Sequence, residues 1–114
     1  MATQQEILAG MYRHLCEKQS VVYKYVNKLF GVEPSRPNIT FGVQTDYLIS
    51  DARPHATYSA GFNGAYLGKG VICIDPVYIL VDVEGFSNHG IKLDPLLEIE
   101  RTLAKEYAIH VHNH

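Results

Sequence analysis

Apolar residues recur at helical spacing through the first part of the chain, at Ile7, Leu8, Met11, Leu15, Val22, Val26 and Leu29. That period marks an amphipathic helix. Thr3-Gln4-Gln5-Glu6 precedes it and reads as a capping box, with Thr3 at the N-cap and Glu6 reaching back. Gly31 suits a C-cap, and Pro34 and Pro37 forbid much continuation. The pattern predicts one long helix over 4–30, with a break allowed near Ser20. Its polar face carries Arg13, Glu17, Lys24 and Lys28.

The pattern then changes. EPSRPN (33–38) is a loop, and ITFGVQTDYLIS (39–50), rich in β-branched and aromatic residues, predicts a strand bent at Gly42. A turn is expected over 51–54. Asn63-Gly64 and Gly68-Lys69-Gly70 are hairpin signals. The pieces between them, 56–62, 65–67 and 71–74, predict a meander of short strands that Asp75-Pro76 ends. The apolar run 77–83 fits a strand or a helical turn, and EGFSNHG (84–90) reads as a loop. Asp94-Pro95 is a helix start, Asp at the N-cap and Pro at the first helical position. Leu96, Leu97, Leu103, Ala104, Tyr107, Ala108 and Val111 then share one face. Glu100 lies within or beside that stripe, and fits a helix-edge carboxylate whose stem is buried and whose head reaches solvent, or else one that meets a buried partner such as a tyrosine hydroxyl or Arg53. The expected fold is a single α+β domain over 1–114: a long N-terminal helix and a C-terminal helix packed on a small, mostly antiparallel sheet.

Composition narrows the function classes. The chain has 114 residues, 46% of them apolar and 19% charged, which fits one globular domain with a real core. A net charge of −2 leaves no electrostatic footprint for nucleic acid. No apolar run approaches the roughly 20 residues that span a bilayer, so no membrane partner is expected. MATQQEIL has no basic region followed by an apolar one, which argues against a secretory leader. Cys16 and Cys73 form no CxxC pair and are expected to be free core thiols. A cytoplasmic location follows as an expectation, the host cytoplasm if the protein is viral.

The chain ends TLAKEYAIHVHNH, with histidines at 110, 112 and 114. A helix, a Gly-punctuated meander with the apolar strand GVICID, a connection and then this helix resemble, over roughly 56–114, the core of small zincin-like metallopeptidases. In that family H-E-x-x-H on the final helix supplies two zinc-binding histidines one turn apart, and a glutamate as general base on the metal-bound water. Two registers carry the resemblance over. In the preferred one Glu106 is the base, and Lys105 and Ile109 stand where the ligands belong. In the other, His110 and His114 are ligands at i, i+4 and Val111 stands at the base position. The third family ligand normally follows further along the chain. Either register implies a zincin-type scaffold without its H-E-x-x-H machinery. The cofactor expected is therefore none, or zinc if an unusual set forms. That set would draw on His110 and His114, or on Glu106 and His110, with His55, His89 or a second chain completing it; His112 is a further candidate in the same histidine end.

Plainer readings stand beside these. The histidines suit a solvated helix end, where the dipole favours positive charge. Glu106 fits a surface carboxylate paired with Arg101 or Lys105. The glycine-rich turns are followed by strands, unlike a phosphate loop. Cys73 in VICI reads as a buried inert thiol rather than a nucleophile with His55 or His89. Three functions remain. The leading one is a non-catalytic protein-binding, inhibitory or accessory protein of the kind phages and viruses encode, with contacts from Tyr47, Tyr58, Tyr66 and Tyr78. The second is a zinc metallopeptidase around Glu106 and His110. The third is a structural homo-oligomer packed through the near-heptad row of the first helix.

Overall fold

The Thr3 hydroxyl oxygen accepts the backbone N–H of Glu6 at 3.1 Å and starts helix α1 (Gln4–Phe30) in the computed structural model, which describes residues 3–42, 64–68 and 70–113. The helix runs unbroken through Ser20. It stops at Gly31, whose φ of 71° is left-handed and whose N–H bonds the Asn27 carbonyl. Met11, Leu15, Val22, Tyr23 and Val26 are its buried face.

Among the described residues three short strands form one sheet in the order β1-β3-β2: β1 (Asn38–Phe41), β2 (Gly64–Gly68) and β3 (Val71–Ile74). β2 and β3 pair as an antiparallel hairpin, with left-handed φ of 80° at Gly68 and 74° at Gly70. β1 instead pairs with β3 in parallel, Asn38 opposite Val71 and Phe41 opposite Ile74. The described strands are therefore mixed rather than mostly antiparallel. The stretch between Phe41 and Val71 is long enough for the crossover that a parallel pair needs. The expected bend falls at Gly42. The rest of the expected strand 39–50, the turn at 51–54, the strand 56–62 and Asn63 lie outside the described residues.

The apolar run 77–83 is helical, and so is most of the expected loop behind it. Helix α2 (Pro76–Ser87) has Asp75 as its N-cap, accepting the Tyr78 N–H at 2.9 Å, and Pro76 in its first turn. Helix α3 (Pro95–His112) repeats the device, with Asp94 accepting the Leu96 N–H at 3.0 Å.

Ile72 and Ile74 from β3, Ile79 from α2, Ile99, Leu103 and Tyr107 from α3, and Met11 and Leu15 from α1 close one core. The expected α3 face was partly displaced: Leu97 is exposed, whereas Ile99 and Thr102 are buried. Glu100 finds its partner on α1, where His14 Nε2 donates to Oε2 at 2.9 Å. The two cysteines are not joined as a disulfide. Cys73 is buried and receives the Thr40 hydroxyl at 2.9 Å, but Cys16 is exposed and is not a core thiol.

Candidate functional site

One helical turn separates Glu106 from His110, so both side chains leave the same face of α3. That face meets the β2–β3 hairpin. Glu106 is only 3% exposed and is not the surface carboxylate its polarity suggests. The backbone N–H of Tyr66 on β2 donates to it, and Lys105 Nζ stands 3.9 Å from Oε2. Burial raises its pKa above the ordinary glutamate value, with the Lys105 charge and the Tyr66 N–H opposing that shift.

His110 is 6% exposed, and both of its ring nitrogens have partners. Nε2 lies 2.8 Å from the Ser35 carbonyl oxygen, which only accepts, so Nε2 carries a proton. In the neutral ring Nδ1 then accepts from the Tyr66 hydroxyl at 3.0 Å, and the Tyr66 oxygen accepts the Gly70 N–H at 3.2 Å. The chain Gly70–Tyr66–His110–Ser35 ties the hairpin turn, the last helix and the loop behind α1 together. Nothing in the spacing of residues marks these partners. Tyr66 reads from sequence as a contact residue for another protein, but its hydroxyl is spent inside this network. Tyr78 sits on α2 rather than in a meander, and Tyr47 and Tyr58 lie outside the described residues.

The other positions from the metallopeptidase resemblance fall elsewhere. Lys105 and Ile109, the ligand positions of the preferred register, are on the exposed side of α3, and Val111 is buried. His112 is exposed, His89 is exposed in the turn after α2, and His55 and His114 lie outside the described residues. Among the described residues no three histidine, cysteine, aspartate or glutamate side chains converge as a metal-ligand group.

A second site lies at the C-terminal half of α1. Tyr23 and Tyr107 stack with ring centroids 4.0 Å apart, and the Tyr107 hydroxyl donates to Asn27 Oδ1 at 2.7 Å. Burial raises the pKa of both tyrosines, which keeps their hydroxyls neutral. They floor a cleft of about 460 Å³, walled by Ser20 and Lys24 on one side and by Glu33, Pro34 and Arg36 on the other. Arg36 Nη2 donates to Ser20 Oγ at 2.6 Å, and its guanidinium carbon lies 5.5 Å from the Tyr23 ring centroid. Beside the cleft, Val21, Tyr25 and Leu29 line up at i, i+4, i+8 and are 62%, 64% and 65% exposed.

Comparison with models of known protein families, with curated proteins and with solved structures finds no match to this chain.

Proposed function

We propose that this chain is a non-catalytic protein-binding module, inhibitory or accessory in kind, on a degenerate zincin-like core. The observation that carries the reading is the Val21–Tyr25–Leu29 row. Three apolar side chains on one helix face, each more than 60% exposed, form a contiguous strip of the sort that marks interaction surfaces. The spent nitrogens of His110 support the same reading, because α3 uses its imidazole to hold the fold. The scaffold part rests on arrangement alone: α3 beneath a hairpin whose strand β2 is antiparallel to its neighbour.

A zinc metallopeptidase with an unusual ligand set is the alternative. It draws on a different observation, a buried carboxylate with a raised pKa one turn from a histidine. Elemental analysis of protein purified without chelator or a histidine-affinity step separates the two. The binding module is expected to hold no stoichiometric metal and to capture a partner that Leu29→Ser releases. One zinc per chain, lost on His110→Ala together with peptide hydrolysis, would establish the peptidase instead. Light scattering on the same sample tests whether the row is covered by a second copy.

A further inference from the structure

We propose that the C-terminal half of α1, with Arg36, docks an acidic amphipathic peptide segment of another protein. Apolar side chains of the segment would lie on the Val21–Tyr25–Leu29 row, and one carboxylate would enter the Arg36 cleft. This deepens the protein-binding reading and rests on it.

Two observations converge here. Successive residues of a helix are turned by about 100°, so the face of Ser20, Lys24 and Asn27 adjoins the row that begins one residue later. Lys24 and Lys28 stand on the boundary between them. The cleft and the row are therefore one surface, apolar on one side and cationic on the other. The second observation is charge. Residues 18–30 contain Lys18, Lys24 and Lys28 and no aspartate or glutamate. Among the described residues none of these lysines makes an ion pair. Glu33 alone among the cleft's described lining residues is acidic.

Arg36 gives the surface its specificity. The Ser20 hydroxyl takes one guanidinium N–H and the Tyr23 ring backs the plane, so its remaining donors are already oriented. A fixed guanidinium fork matches a carboxylate, which accepts two parallel bonds. The cleft is concave, which suits a peptide anchor better than a flat lipid surface. A helix laid on an apolar row with acids along one edge is an established recognition mode, and opposite charge at the rim sets its register.

The test immobilises the full chain and selects from a random-peptide display library. Selected peptides are then synthesised and titrated by fluorescence anisotropy, with circular dichroism confirming that each variant is folded. The expected winners combine aspartate or glutamate with apolar residues at helical spacing. Arg36→Glu should weaken binding by roughly tenfold or more, as loss of a charge pair enclosed by the complex does, and Lys24→Glu, a rim charge, should weaken it less and reduce its salt dependence. Leu29→Ser should weaken it as well, and His112→Ala should leave it unchanged. Winners without acids, or binding that ignores Arg36→Glu, would overturn this inference while leaving the protein-binding function standing. Failure to select any peptide would also overturn it. If the chain then sedimented with phosphatidylserine vesicles but not phosphatidylcholine vesicles, the surface would be a lipid contact. Stoichiometric zinc with hydrolysis would remove the protein-binding reading too.

Discussion

The Tyr66–His110 hydrogen bond ties the hairpin to the last helix, and its contribution can be isolated by a double-mutant cycle. Tyr66→Phe deletes only the hydroxyl. It leaves Nδ1 of His110 and the Gly70 N–H, at 3.0 and 3.2 Å from that oxygen, without their partner. A neutral hydrogen bond contributes about 1 kcal/mol net, and an unsatisfied buried group costs about 1–3 kcal/mol. Tyr66→Phe should therefore cost about 1–2 kcal/mol. His110→Ala also breaks the 2.8 Å bond to Ser35 and empties a side chain that is 6% exposed. Two bonds plus a large-to-small change in a packed site come to about 3–4 kcal/mol. Because both single changes delete the same bond, the double variant should be about 1 kcal/mol better than their sum. Urea unfolding at neutral pH measures all four proteins. A coupling of zero would refute the network. So would zinc that raises the midpoint of the wild type but not of His110→Ala, since the imidazole would then have a lone pair free for metal.

Glu106 makes a prediction about pH. Its folded pKa is raised, chiefly by burial, so over the window from the ordinary glutamate range up to that raised value the folded chain holds a proton that the unfolded chain has released. Stability must fall as pH rises through that window; compared with Glu106→Gln, the wild type should gain stability as pH is lowered into it, and a flat difference would contradict the assignment. At Gly64 an added Cβ would meet Thr102 Cγ2 at 2.5 Å and the Cys73 carbonyl oxygen at 2.8 Å. Gly64→Ala should cost about 2–3 kcal/mol, and Thr102→Ser should restore only part of it because the carbonyl stays; full recovery would locate the clash wrongly. Thermal melts should show Asp94→Ala costing about 1 kcal/mol as a lost N-cap, and Asp75→Ala costing more, because Asp75 is buried and Asp94 exposed.

The helices with punctuated ends are legible in the sequence itself. Thr3, Gly31, Asp94 and Pro95 act through their own backbone neighbours, so local sequence carries the whole signal. Asp75-Pro76 carries the same start signal as Asp94-Pro95, yet behind a run of strands it reads equally as the end of a meander. The run PVYILV behind it is apolar on every side, and without a polar face it has no period to separate helix from strand. The direction of β1 depends on a connection rather than on its own residues. The burial of Glu106 is hidden in the sequence for a related reason. Its surroundings on α3 are charged, and only the arrival of the β2 edge makes it a buried acceptor. His110 suggests metal chemistry in the sequence because histidines at i, i+4 are a strong pattern. Its real partners, Tyr66 and Ser35, lie far along the chain, and no spacing rule joins them.

The stacked pair of Tyr23 and Tyr107 gives the molecule an optical signature of its own assembly. The chain contains no tryptophan, so its near-ultraviolet circular dichroism comes chiefly from tyrosine. Two rings fixed 4.0 Å apart across the α1–α3 contact are the natural source of a strong band there. Loss of fixed packing removes near-ultraviolet signal while far-ultraviolet signal persists. Separation of α1 from α3 can therefore be followed spectroscopically, without a label, while both helices stay wound.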